Sequence, residues 1–176
     1  AHINGAQVVV YSSAIQADNP EMIEARRKGM PILQRAKLLA NLMREHEGIT
    51  IAGAHGKTTT TSMVANLLIQ AGLNPTTAVG GIVGGTKSNA RLGSGKYFVS
   101  EVDVSDGSFL NFTPKYSMIR NIVLEHLDYY KNWNGICQAY EEFIGRTQKD
   151  GLLIVCAEDE NLLRMVQASR LRYQTY

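Results

Sequence analysis

Two hydrophobic patterns alternate along the chain. Short apolar runs that stop at polar or glycine-rich sequence read as buried parallel strands, and they cover residues 7–11, 49–52, 97–101, 116–121 and 152–156. Between them lie stretches with helical spacing. Asp18-Asn19-Pro20-Glu21 starts one that runs to about Lys28 and stops at Gly29. After Pro31, the positions Leu33, Ala36, Leu39, Ala40, Leu42 and Met43 predict a helix to about Glu47, closed by Gly48. Further helices are expected from about Lys57 to Ala71, from about Asn134 to Thr147, and over residues 159–168. Gly80-Gly81 and Gly84-Gly85 mark a flexible excursion through Asn89-Ala90-Arg91-Leu92-Gly93.

Strands alternating with helices predict an α/β fold, a mostly parallel sheet with helices on both faces. Residues 48–176 read as one such domain. Residues 1 to about 30 read as the last strand and helix of a different α/β unit, and the helix after Pro31 links the two.

Composition changes this picture little. A hydrophobic fraction of 44% and a net charge of +2 are ordinary for a globular chain and exclude fibrous and disordered classes. No run of five or more cationic residues appears, which argues against general nucleic-acid binding, and Arg26-Arg27-Lys28 suits the solvated last turn of a helix. No apolar stretch reaches the ~18 residues of a membrane span and no signal-peptide layout is visible, so a cytoplasmic protein without membrane contact is expected. Cys137 and Cys156 lie in apolar stretches without a C-x-x-C pattern and read as core thiols. The chain opens on Ala1 and ends after a basic amphipathic stretch, and it is expected to be a piece of a longer polypeptide.

The chemistry concentrates after the strand at 49–52. A phosphate-binding loop needs glycines that let backbone N–H groups turn inward, a lysine for the β/γ-phosphates and a hydroxyl for Mg²⁺. Gly53, Ala54, His55, Gly56, Lys57, Thr58 and Thr59 supply these in the spacing G-x-x-G-K-T, shorter than the usual loop, at the positive end of a helix. The bland alternative is a glycine turn that only joins strand to helix. Thr147-Gln148-Lys149-Asp150 loosely resembles a guanine-reading motif, but it follows a helix and precedes a strand, so that reading is set aside.

Two further strand ends carry acids and a histidine. Glu101 closes a strand and is placed to face the phosphate loop, since ligands bind outside the carboxyl ends of strands in open α/β sheets; a carboxylate there suits Mg²⁺. Asp103 and Asp106 read equally as ligands or as caps of the turn near Ser108. Glu125-His126-Leu127-Asp128 follows the next strand, and His126 flanked by two acids is a candidate metal or substrate ligand. His55 is an even choice between substrate contact and plain loop residue.

Taken together these segments resemble the Mur ligase family, the ATP-dependent amide-forming enzymes of peptidoglycan assembly. Residues 53–59 match its short G-[TA]-x-G-K-T-[TS] loop, residues 101–106 its E-x-D-x-S-D strand end, and residues 121–130 its N-[IV]-x-x-[DE]-H-[ML]-D-x-Y segment. Within the family, Ser12-Ser13-Ala14-Ile15, Asp18-Asn19-Pro20-Glu21, the Arg35-Ala36 helix with Leu42-Met43-Arg44, and residues 89–93 are most similar to the branch that adds L-alanine to UDP-N-acetylmuramate. Ala54, Val104 and Val123-Leu124 depart from the usual residues, and none removes an expected ligand.

The resemblance implies a P-loop ATPase-like central domain. Residues 1–47 would be the tail of an N-terminal UDP-sugar-binding domain plus a linker helix, and residues 48–176 part of the central ATP-binding domain. Lys57 and the 53–59 backbone would hold ATP, Thr58 and Glu101 one Mg²⁺, and His126 a second. Lys57, Glu101 and His126 would be catalytic, with UDP-N-acetylmuramate and L-alanine as the substrates joined through an acyl phosphate. Asn89 and Arg91 fit contacts to the sugar nucleotide, or a glycine-bounded loop with a solvated arginine. Another ligase of the family that attaches a recycled tripeptide, or a P-loop ATPase or kinase without ligase chemistry, are the alternatives. By itself this chain is expected to be inactive.

Overall fold

The structure is a computed structural model and describes residues 2–81 and 88–176. Gly84-Gly85, part of the expected excursion, lie outside the described residues.

The first unit is small. Strand β1 (Val9–Tyr11), helix α1 (Pro20–Arg27) and strand β2 (Ile32–Gln34) form a two-stranded parallel β-α-β unit with Val9 opposite Ile32. Asn19 caps α1 by accepting from the Glu21 N–H, Pro20 takes the first helical position, and Arg26 and Arg27 fill the last turn, as the sequence suggests. Gly29 turns with a positive φ of 62°. Two expectations fail here. With only one neighbouring strand, β1 is not buried, and Val8 and Val10 stay exposed. Leu33 belongs to a strand, not to the helix after Pro31; that helix, α2, runs Arg35–Met43. Pairing with β1 holds residues 32–34 extended, which overrides their helical spacing.

The remaining strands build one seven-stranded sheet. They are β3 (Glu47–Ala52), β4 (Thr76–Ala78), β5 (Ala90–Arg91), β6 (Tyr97–Glu101), β7 (Tyr116–Ile119), β8 (Leu152–Val155) and β9 (Tyr173–Thr175), ordered β5-β4-β6-β3-β7-β8-β9. Every pairing is parallel except β4 with β5. Strands β4, β5 and β9 are absent from the sequence expectation because they are short and polar, and sheet pairing alone makes them strands.

The pleat divides the strand side chains between two faces. One face sends Phe98, Ala52, Ile119, Leu153 and Val155 into the main core, where α2, the 3-10 turn at Ser108–Asn111, α5 (Trp133–Gly145) and α6 (Glu160–Ser169) supply Ala40, Phe109, Tyr140, Phe143 and Leu162. Phe109 stands at the centre of this core, its ring 4.9 Å from Phe143 and 5.6 Å from Tyr140. The other face carries α3 (Lys57–Gln70), which buries Thr61 and Ala65. Beside α3, Ile49, Tyr116, Met118 and Ile154 form an open apolar groove. Cys137 and Cys156 are half-buried and unpaired, so neither is the fully enclosed thiol expected. No helix among the described residues is long and apolar enough to cross a membrane.

Candidate functional site

The site is assembled around the centre of the sheet. Strand β3 lies between β6 and β7, so the loop it feeds into α3 is flanked by the ends of both. Two glycines make this loop possible. Gly53 has φ of 133° and Gly56 φ of 76°, and a Cβ at either would meet the chain at Arg120: 3.1 Å from Arg120 Cβ for Gly53, 1.7 Å from Arg120 Nη1 for Gly56. Gly56 is the N-cap residue of α3 and offers no side-chain cap, so the helix starts with N–H groups free for an anion.

Loop shape is fixed from outside. Asn121 Oδ1 accepts from the Ala54 N–H at 2.9 Å and the His55 N–H at 3.1 Å. Lys57 curls back, its ammonium donating to the Gly53 carbonyl at 2.8 Å and the Ala54 carbonyl at 3.1 Å. Thr61 and Ser62 donate their hydroxyls to the carbonyls of Lys57 and Thr58, both at 2.8 Å. The Thr58 hydroxyl has no such bond.

Glu101 ends β6 opposite Ile51 of β3. It shares a cleft of about 350 Å³ with Lys57, Arg35, Asn89 and Asp103. One carboxylate oxygen lies so near Gly80 that a Cβ there would fall 1.9 Å from it, and the other, Oε2, is buried without a hydrogen-bond partner. A buried carboxylate oxygen without a donor is costly, and a cation would relieve it. No cluster of three metal-ligating side chains forms among the described residues. Mg²⁺ suits the lone Glu101 oxygen, since it needs one or two carboxylates and takes its other ligands from phosphates and water.

The neighbouring acids brace the bend that leads into the 3-10 turn. Asp103 accepts from the Ser105 N–H, and Asp106 from the Ser108 N–H, each at 2.9 Å. Asp106 also receives the Gln34 side-chain amide at 3.1 Å, tying the start of α2 to this turn.

His126 sits elsewhere. It precedes the short helix α4 (Leu127–Tyr130) with φ of 56° and borders a small crevice with Ala54 and Tyr140. Glu125 stands between two imidazoles, 3.4 Å from His55 Nε2 and 3.9 Å from His126 Nε2. The structure therefore brings Lys57, Glu101 and Asn89 to one cleft, and His126 lines a separate crevice. Arg91 is outside the cleft too: its guanidinium donates to the Pro75 carbonyl at 2.9 Å and to the Asn74 side chain. Arg35, Arg120 and Asn121 reach the site without having been singled out as site residues. Asn121 opens the 121–130 motif, but only strand order and the β2–α2 junction bring it, Arg35 and Arg120 to the site.

Comparisons with known proteins agree with this geometry. Residues 51–176 match the Mur ligase middle domain, and residues 1–47 match the description "Mur ligase family, catalytic domain". The chain is 46% identical over 175 residues to a UDP-N-acetylmuramate--L-alanine ligase of Aquifex aeolicus, covering 99% of this chain and 38% of that protein. Among solved structures, the UDP-N-acetylmuramate-alanine ligase of Thermotoga maritima superposes with a TM-score of 0.81 at 35% identity, over 90% of this chain and 37% of that one. The UDP-N-acetylmuramate:L-alanyl-gamma-D-glutamyl-meso-diaminopimelate ligase of Neisseria meningitides gives 0.84 at 23% identity, over 96% and 58%. This chain thus spans well under half the length of its curated relatives. Its parallel sheet, its short glycine loop and the middle-domain match over most of its residues have one common meaning: the chain belongs to the Mur ligase family.

Proposed function

We propose that the polypeptide containing these residues is a cytoplasmic ATP-dependent ligase that joins L-alanine to the carboxylate of UDP-N-acetylmuramate in peptidoglycan synthesis. The observation that carries this reading is the cleft where Lys57 and the partnerless Glu101 oxygen meet, in a chain 46% identical to a relative of that name. Residues 1–47 belong to the sugar-nucleotide domain and its linker helix, and residues 48–176 to part of the ATP-binding domain.

Lys57 leaves its two loop carbonyls for the β/γ-phosphates of ATP, joined by the backbone of Gly53, Ala54, His55, Gly56, Thr58 and Thr59. Thr58 and Glu101 would hold one Mg²⁺ and His126, beside Glu125 in the separate crevice, a second. Cations held there would offset the repulsion between two anions that must meet. The muramate carboxylate attacks the γ-phosphorus and ADP leaves, giving an acyl phosphate. The alanine amine then attacks the acyl carbon, loses a proton, and inorganic phosphate departs. Asn89 borders the cleft and is the stronger of the two sugar-nucleotide contacts; the bonds of Arg91 to Pro75 and Asn74 favour its structural reading. The 35% identity to an alanine ligase against 23% to a tripeptide-adding one favours alanine as the acceptor.

Phosphate release by the complete polypeptide tests this directly. Turnover should require ATP, UDP-N-acetylmuramate and L-alanine together, and Lys57→Ala or Glu101→Gln should each lower it about 10²–10³-fold. Equal ATP hydrolysis without the sugar nucleotide would favour a plain ATPase and overturn the ligase reading.

A further inference from the structure

Opposite Glu101, a second charge stands against the phosphate loop. Arg120 follows β7, and its backbone N–H donates to the Ala52 carbonyl at 3.1 Å, locking it beside the end of β3. Its side chain then lies across the loop, with Nη1 and Cζ 1.7 and 2.8 Å from where a Gly56 Cβ would stand. Among the described residues the guanidinium makes no ion pair and no hydrogen bond. This holds although Glu158, Asp159 and Glu160 line the same open cleft of about 840 Å³ at the ends of β7 and β8. Asp159 is engaged with the N–H groups of Ile122 and Leu162. A half-buried planar cation, held in place at a helix N-terminus and left without an acidic partner, matches the bidentate geometry of phosphate oxygens.

We propose that Arg120 is a second fixed cation of the nucleotide site and grips polyphosphate oxygens on the side of the loop away from Glu101. This rests on the nucleotide reading above. Because the nucleotide reading puts Glu101 at the terminal phosphate, Arg120, at the end of β7 on the other side of β3, serves the phosphates that ATP and ADP share. Lys57 and Arg120 then bracket the polyphosphate from the two sides of α3's first turn.

Calorimetric titration of the complete polypeptide with Mg-ATP and Mg-ADP tests this, using Arg120→Met, which keeps the stem, Arg120→Lys, and Lys57→Ala as reference. Arg120→Met should weaken both nucleotides by a similar factor of about ten to a hundred with an unchanged urea midpoint, and Arg120→Lys should recover part of the loss. Affinities within twofold of the parent for both nucleotides, while Lys57→Ala loses binding, would overturn the role of Arg120 alone. Unchanged affinity in Lys57→Ala as well would overturn the nucleotide reading together with it. A loss in both Arg120 variants that follows a fall in the urea midpoint would reduce Arg120 to packing.

Discussion

Asn121 accepts from two successive loop amides with its side-chain oxygen, and its main-chain carbonyl also accepts from the Ala54 N–H at 3.3 Å. Asn121→Ala leaves the Ala54 and His55 N–H groups without that side-chain oxygen, and the expected cost is about 1 kcal/mol in urea unfolding together with weaker Mg-ATP binding. Asn121→Asp separates the two effects. A carboxylate can still accept from both amides, so stability should hold while its charge beside the phosphates lowers affinity; equal affinity in Asn121→Asp and the parent would refute proximity to the anion. The loop residues themselves were legible in the sequence, because glycine, lysine and threonine carry their chemistry locally. Arg120 carries no local signal of this kind, and the part Asn121 plays depends on a partner 67 positions away.

At the scale of elements, local signals succeeded where they were chemical and failed where pairing decided. The caps and stops around α1, and the helices α3, α5 and α6, lie where capping residues and periodicity put them. Asp159 is the N-cap of α6, its Oδ1 accepting from the Leu162 N–H at 3.0 Å, while Oδ2 takes the Ile122 N–H at 2.9 Å and anchors the segment leading to Glu125 and His126. Asp159→Ala should therefore destabilise the fold by about 1–2 kcal/mol, and Asp159→Asn, which keeps one acceptor oxygen for two N–H donors, should restore only part of it, as read from urea midpoints. A change below a few tenths of a kcal/mol would show that water replaces both bonds. Strand β2 shows the opposite case: residues 32–34 carry a helical pattern, and the β1 ladder overrides it.

Across the whole molecule, burial of two phenols makes stability depend on alkaline pH. Burial pushes Tyr130 and Tyr140 well above the usual phenol range, with neighbouring tyrosines and acids adding to the shift. The folded state then holds protons that the unfolded chain releases, so their contribution is complete below about pH 10 and is lost as pH rises past it. Lys96 and Lys115, raised by contact with Glu47, act in the same direction. Urea midpoints should hold to about pH 10 and fall as pH rises beyond it. Tyr140→Phe should flatten that fall, and an unchanged slope would remove Tyr140 from the account.

Hydrophobic period, turn chemistry and short motifs, written over a few to about fifteen residues, are enough to give the α/β class, the glycine-lysine-threonine loop between β3 and α3, the glutamate that closes β6, and the family. Long-range contacts set β7 against β3, rest Arg120 and Asn121 on the loop, tie Arg91 to Asn74 and Pro75, and hold residues 32–34 extended. The physical reason is that strand order, and the burial that follows from it, is settled by contacts between segments far apart in the chain.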